Sequence, residues 1–315
     1  MEINKKYKYA TLNREKVKAE VSVIEIEDVP GVGTDDVKMQ ETAYIDYVFK
    51  DEEYNHIQLK VFDKVSKGNA MKREFVINNR ERMIFCKLNM PEGNQMVPMV
   101  ILCHGYNGSC EGFTYHQEFL GKRKMASIAF DFCGGSVHSK SSLDTTMMTI
   151  ETEIEDLIAV YNYVSNMERV DTHHIIFHGE SQGGFVSAIA AARLGDKISG
   201  LNLVYPALCI PDNWNEKFKN ISDIPEVEEL WGMKLGKSFF MSLRNIEVYS
   251  EICQYTGSVH IVHGDQDEIV PLHYSENAVK KYKNARLAVL SGEGHGFSSE
   301  GVEKTLNFFY NSESI

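Results

Sequence analysis

The sequence predicts an α/β fold, a mostly parallel sheet with helices on both faces. Three observations predict it. Continuous apolar runs such as Met99-Val100-Ile101-Leu102-Cys103 and Ala126-Ser127-Ile128-Ala129-Phe130 suit strands buried on both sides. Stretches of helical spacing lie between them, as in an alternating strand–helix chain. Residues able to do chemistry stand at the carboxyl ends of the runs: His104-Gly105, Asp131, Ser181, Asp267 and His295. Parallel sheets place their sites there.

Residues 1–70 have a different texture. Ala19 to Ile26 and Ala43 to Phe49 alternate with period two, a strand signal. Pro30-Gly31-Val32-Gly33 breaks the first run, and Lys64 to Asn69 reads as a polar linker. We read 1–70 as a β-rich N-terminal extension and 71–315 as the main domain. Arg73 to Ile77 and Met83 to Leu88 predict two strands joined at Asn78-Asn79. Pro98 to Cys103 and Ala126 to Asp131 predict the next two. Ile150 to Val164 is apolar at 150, 154, 157, 158, 161 and 164, the spacing of one helix face. Its acids Glu151, Glu153, Glu155 and Asp156 read as the solvated face. His174 to His178 predicts a strand, followed directly by a small-residue helix from Phe185 to Leu194. Leu201 to Tyr205, Val259 to His263 and Leu287 to Leu290 predict later strands, and Val302 to Tyr310 a closing helix. Residues 206–256 interrupt the rhythm and hold both tryptophans, Trp214 and Trp231, with Phe218, Phe239, Phe240 and Tyr249. We read them as a lid insertion above the carboxyl ends of the strands. Most of its aromatics are expected to form the insertion's own core, with one or more lining a pocket.

The 315 residues are 43% hydrophobic and 25% charged, which excludes a mainly disordered chain or a small disulfide scaffold. With 33 basic and 45 acidic side chains the net charge is −12, which argues against nucleic acid as a partner. No apolar run approaches the roughly 20 residues that cross a bilayer, so no membrane partner is expected. The amino terminus has no apolar core of a secretory signal. The six cysteines, at 86, 103, 110, 133, 209 and 253, form no C-x-x-C pair and read as small hydrophobes in a reducing cytoplasm. A homo-oligomer is left open.

Gly179-Glu180-Ser181-Gln182-Gly183 fits G-x-S-x-G and stands between a strand and a helix, the setting of a nucleophile elbow. The glycines let a strained turn pass without Cβ clashes. A serine hydroxyl needs a base, and the base needs an orienting group. His295, in the loop Gly292-Glu293-Gly294-His295-Gly296, and Asp267, in His263-Gly264-Asp265-Gln266-Asp267, follow in the order Ser, Asp, His. Asp265 is the alternative acid.

These pieces, with His104-Gly105-Tyr106, Phe130-Asp131-Phe132, Gly184, Val270-Pro271 and Gly294-His295, resemble the α/β-hydrolase fold from about residue 71 onward. Within it they resemble the bacterial cinnamoyl/feruloyl esterases. Related acylglycerol lipases and acyl-peptidases share several of them. The resemblance selects Asp267 as triad acid and gives the backbone N–H groups of Tyr106 and Gln182 as the oxyanion hole. It implies a serine carboxylesterase with no metal or organic cofactor, acting on a small-molecule ester, with hydroxycinnamate esters of plant cell-wall sugars favoured. An acyl-peptidase or a medium-chain acyl esterase or lipase on the same triad is the alternative. A non-catalytic interaction protein is the alternative of another class. Two departures stand out: Glu180 where relatives often have His, and Cys133-Gly134-Gly135 after the Asp131 strand. Both are expected at the rim of the site. His173, His174 and His178 do not read as a metal site, because the segment is a strand, and Gly31-Val32-Gly33 is not a dinucleotide fingerprint.

Overall fold

The computed structural model describes residues 71–310 and the backbone of residues 19–22 and 42–45. The chain divides into two compact units, Met1–Asn69 and Ala70–Ile315. In the first, β1 (Ala19–Ser22) pairs antiparallel with β2 (Thr42–Ile45), Ala19 opposite Ile45. The break expected at Pro30-Gly33 and the linker at 64–69 lie outside the described residues.

The second unit runs through β3 (Met71–Asn79), β4 (Arg82–Met90), β5 (Val97–Cys103), α1 (Thr114–Lys122), β6 (Ala126–Phe130), α2 (Ile150–Val164), β7 (Val170–Glu180), α3 (Gln182–Leu194) and β8 (Gly200–Val204). An insertion follows: α4 (Ile210–Lys217), β9 (Val227–Leu230), β10 (Met233–Gly236), α5 (Lys237–Ser242) and α6 (Val248–Ile252). The chain then returns to β11 (Ser258–Gly264), α7 (His273–Lys281), β12 (Ala285–Leu290) and α8 (Ser299–Tyr310). Eight strands form one sheet in the order β12-β11-β8-β7-β5-β6-β4-β3, while β9 and β10 form a separate hairpin. From β12 to β6 every pairing is parallel, and β4 and β3 add an antiparallel edge. The chain passes from β5 to β6 on one side and then to β7 on the other. The carboxyl ends of β5 and β7 therefore meet at the switch point, where open α/β sheets hold their sites.

Alternation along β5 explains the layers. Val100 and Leu102 join a buried cluster with Phe119 and Leu120 of α1 and Leu306, Phe309 and Tyr310 of α8. Met99, Ile101 and Cys103 point to the opposite face, where α2 and α3 pack. On that second face Cys103 bonds Ser187 of α3.

Three expectations change. The first turn lies at Arg80-Glu81 rather than Asn78-Asn79, since Asn79 still pairs with Arg82. The Asn79 amide reaches the Glu155 carbonyl and the Asp156 carboxylate at 3.4 Å, which holds it in the strand. α1 and α7 were not anticipated. The inward face of α1 includes His116 and Gln117 beside Phe119 and Leu120, so no clean apolar stripe announces it. Finally, the acids of α2 are not all solvated. Thr149 and Thr152 cap the helix reciprocally at 2.9 and 3.1 Å. That start turns Glu153 and Asp156 inward, at 1% and 0% exposure, while Glu151 stays exposed. The Asp156 carboxylate accepts from Arg82 Nε at 3.0 Å and from the Cys133 N–H at 2.9 Å. It ties the β3–β4 turn to the loop after β6, as a buried charge must be tied.

Candidate active site

Ser181 stands between β7 and α3, with φ 51° and ψ −119°. A non-glycine residue there carries strain of roughly 1–3 kcal/mol that its surroundings must hold. The Ser181 N–H donates to the Val204 carbonyl at 3.0 Å. The Ser181 carbonyl accepts from Phe185 and Ala207 at 3.1 and 2.9 Å. These bonds leave Oγ projecting from the tip of the turn. The elbow closes only because Gly183 has no side chain. A Cβ there would fall on the carbonyl oxygens of Cys103 and His104.

Ser181 Oγ donates to His295 Nε2 at 2.9 Å, and His295 Nδ1 donates to Asp267 Oδ2 at 2.8 Å. A carboxylate only accepts, so Nδ1 carries the proton and Nε2 presents its lone pair to the hydroxyl. That is the tautomer a general base needs. The Asp267 side chain is buried, and burial alone would push its carboxyl up. Bonds from His263 and His295 and from the Val270 N–H outweigh this and hold it well below the usual range. The Ile269 N–H, at 2.9 Å, also faces Asp267 Oδ1. Asp265 is exposed and accepts from the Gly292 N–H at 2.7 Å. It supports the loop that carries His295 without touching the imidazole.

Four neighbours have roles that the sequence reading did not assign. His263 Nε2 lies 2.9 Å from the Val270 carbonyl and 3.2 Å from Asp267 Oδ2, two acceptors, so it is a second donor to the acid. Its signal was the His263-Gly264 pair at the end of β11. The Tyr205 ring packs on His295 at 4.6 Å, with Phe297 edge-on behind it. His104, buried and held neutral by that burial, accepts from the Phe132 N–H at 3.1 Å and donates to the Gly105 carbonyl at 2.7 Å. It thereby braces the loop carrying Tyr106. Gly105 packs so closely that an added Cβ would lie 3.0 Å from Ser181 Cβ. Gln182 opens α3, so its N–H is among those an α-helix leaves without an internal acceptor.

The fourth is Glu153. Its carboxylate accepts from Gln182 Nε2 at 2.8 Å beneath the elbow. Burial pushes its carboxyl up to about 8, against the bond from Gln182 and with help from the Asp156 charge. An unfolded glutamate titrates near 4.3, so between about pH 4.3 and 8 the folded chain holds a proton that the unfolded chain lacks. This contribution to stability is full below about pH 4.3 and is lost as pH rises toward 8. Glu153→Gln should remove it. Raising the pH from about 5 to about 9 should lower the unfolding temperature of the wild type more than that of the variant. Parallel slopes in a calorimetric series would contradict this.

Of the two departures, neither Glu180 nor Cys133 lines the cavity over the elbow. Cys133 is fully buried, its N–H bound to Asp156. The Glu180 carboxylate turns inward to His116 and His178. His173 and His174 are exposed on the same strand, away from His178. All six cysteines are free, and Cys253 is the least buried.

A cavity of about 450 Å³ opens above the elbow, lined by Tyr106, Ser181 and Gln182. From the insertion come Trp214, Leu230, Trp231, Leu235 and Phe239. Behind it Trp214, Phe218 and Phe240 pack on one another at 4.8–5.8 Å, the insertion's own core. Its last part belongs elsewhere, since α6 packs on α3 and the Tyr255 hydroxyl donates to the Ile198 carbonyl. No helix among the described residues is long and apolar enough to cross a membrane.

Est1E from Butyrivibrio proteoclasticus, in a structure with ferulic acid bound, superposes with a TM-score of 0.69 at 28% identity. The match covers 75% of this chain and 97% of that one. The α/β hydrolase GrgF from Penicillium sp. sh18 superposes at 0.61 with 15% identity, over 76% of this chain and 96% of its own, which speaks to the fold alone. An uncharacterized 31.7 kDa protein from the traX-finO intergenic region of Escherichia coli is 31% identical over 106 residues, 33% of this chain. The chain spans only about a third of that curated relative, 36% of its length. The model of the prolyl oligopeptidase family (Peptidase_S9) matches residues 111–311. That stretch is well over half of the chain and contains the serine elbow, the Asp267 loop and the His295 loop. The chain therefore belongs to the prolyl oligopeptidase family and has the α/β-hydrolase fold.

Proposed function

We propose that Ser181, His295 and Asp267 form the catalytic triad of a carboxylic ester hydrolase acting on esters with a bulky aromatic acyl group, hydroxycinnamates first among them. The observation that carries this is the Ser181–His295–Asp267 chain of bonds at 2.9 and 2.8 Å, opening into an aromatic-lined cavity. Ser181 Oγ attacks the ester carbonyl carbon as its proton passes to His295 Nε2. The N–H groups of Tyr106 and Gln182 receive the oxyanion. His295 returns the proton to the leaving alcohol, and water, activated in the same way, releases the acid. None of these steps calls for a metal or an organic cofactor. Six free cysteines fit a cytoplasmic site of action.

The aromatic acyl group is supported by the cavity wall. Trp231 and Gly232 turn the β9–β10 hairpin, both with positive φ, 47° and 79°. A bulky residue rarely adopts that backbone, and here it brings the Trp231 ring edge-on to Tyr106 at 6.0 Å. The ferulic acid seen in Est1E is the same class of acyl group. Peptide substrates on the same triad are the second reading, favoured by the family's name.

The test compares kcat/KM for methyl ferulate, p-nitrophenyl acetate and an acylated peptide. Methyl ferulate should lead p-nitrophenyl acetate in selectivity. Trp231→Ala should cut the methyl ferulate rate constant about tenfold and leave p-nitrophenyl acetate within about twofold, because only the larger group draws binding energy from the wall. A shortened Val227–Gly236 hairpin should act likewise. An unchanged ratio, or a preference for the peptide, would overturn the aromatic ester reading.

A further inference from the structure

Behind the elbow, on the side away from the cavity, three groups capable of binding a metal converge. His178 and Glu180 lie two residues apart on β7, so both side chains point to the same face of the sheet. His116 reaches them from α1. His116 Nε2 lies 3.3 Å and His178 Nε2 3.8 Å from Glu180 Oε1, and the three ligand atoms all lie within 4.8 Å of one another. Around a tetrahedral zinc ion with bonds of about 2.0–2.1 Å, neighbouring ligand atoms stand about 3.3 Å apart. The His116–Glu180 pair already has that spacing, the His178–Glu180 pair is about half an ångström wider, and the ion would draw the set together.

A second observation points the same way. His178 is fully buried, and its Nε2 has no partner within 3.5 Å, the Glu180 carboxylate standing 3.8 Å away. A buried polar atom left unpaired is costly and asks for an explanation. The opposite nitrogen, Nδ1, faces the Tyr310 hydroxyl at 3.0 Å. A metal-binding imidazole is oriented in this way by a partner on its other nitrogen. The Tyr205 hydroxyl bonds the Glu180 carboxylate, so that group too is oriented from outside. Two imidazoles and a carboxylate suit zinc or a neighbouring first-row ion better than the harder calcium or magnesium.

We propose that His116, His178 and Glu180 form a binding site for a divalent transition ion of the zinc class beside the nucleophile elbow, with both histidines buried and Glu180 partly exposed. The ion binds without changing its oxidation state. It displaces any proton held among the three groups and bridges α1 to the end of β7. It takes no part in the ester chemistry, since it lies beneath the turn rather than in the cavity. What it adds is a cross-link that fixes the strand end from which Ser181 projects.

The experiment uses the full chain, stripped with a chelator and exchanged into metal-free buffer. Zinc is titrated in competition with a chromophoric chelator, and bound metal is counted by mass spectrometry. The expected result is one zinc per chain, with His116→Gln and His178→Gln each weakening binding at least about 100-fold. Cobalt in place of zinc should give the strong visible absorption of a four-coordinate site, absent from both variants. Zinc should raise the unfolding temperature of the wild type and not of His116→Gln. Failure to bind one equivalent would overturn the proposal and leave the cluster as an ion pair. So would binding that survives both substitutions, which would assign the metal to surface histidines such as His173 and His174. Should His178→Gln fail to fold, His116→Gln and the cobalt spectrum of the wild type decide the matter.

Discussion

Ser181→Ala and His295→Ala should each lower kcat for ester hydrolysis by at least about three orders of magnitude, with the fold retained. Triad members act as a unit, so losing either forfeits nearly the whole advantage. Ser181→Ala removes the atom that attacks. His295→Ala leaves the hydroxyl with no acceptor for its proton. Asp267→Asn should cost nearly as much, because an amide facing Nδ1 favours the wrong imidazole tautomer. Asp265→Asn should cost less than about tenfold, since Asp265 bonds the Gly292 N–H and not the imidazole. The measurement is single-turnover kinetics on a p-nitrophenyl ester, with a fluorophosphonate probe to report whether residue 181 is still reactive. An inactive Asp265→Asn beside an active Asp267→Asn would reverse the assignment of the acid.

The second large effect is on the fold. Gly183→Ala should destabilise the chain by about 3 kcal/mol or more, or prevent folding. Its methyl group would fall on the carbonyl oxygens of Cys103 and His104, at the carboxyl end of β5. Those oxygens are backbone and cannot swing aside. α3 would have to lift off β5, exposing Phe185, Val186 and Ile189, which are buried on that helix. The control is Gly112→Ala, where an added Cβ meets nothing within 4 Å and φ is not in the left-handed region. Chemical unfolding of both variants gives the comparison. Equal midpoints would mean that the elbow tolerates a wider approach than its geometry implies.

Much of this molecule could be read in advance, for a reason that also marks where reading stops. Strands buried on both faces appear as unbroken apolar runs, and the helix from Ile150 to Val164 appears with its observed ends. Ser181, Asp267 and His295 could be placed because each stands just beyond such a run, and the turn that presents the serine has its own glycine pattern. Glu153 was misjudged although its spacing held the clue. It lies three residues after Ile150 and four before Leu157, on the apolar face, and only its carboxyl group suggested solvent. His116, His178 and Glu180 could not be assembled beforehand. His116 is 62 positions from His178, on a helix whose inward residues are partly polar, and no local period reports a meeting between elements brought together by sheet order. The insertion was legible as an interruption rich in aromatics. Its division into a cavity wall and a segment packed on α3 depends on tertiary contacts that composition does not record.

The Tyr106 hydroxyl donates to the Leu230 carbonyl at 2.9 Å and shares its proton with the Met233 carbonyl at 3.3 Å, one on either side of the Trp231 turn. The same residue follows Gly105, which packs on Ser181, and its N–H is the proposed first donor to the oxyanion. One tyrosine thus fastens the roof of the cavity to the floor where charge develops. A substrate that lifts the hairpin to make room pulls on the donor it needs moments later. If Tyr106 serves as proposed, a poorly fitting acyl group should be penalised in the reaction itself as well as at entry. The enzyme's preference should show more strongly in turnover than in affinity, so that ill-matched esters occupy the cavity as inhibitors rather than being excluded from it.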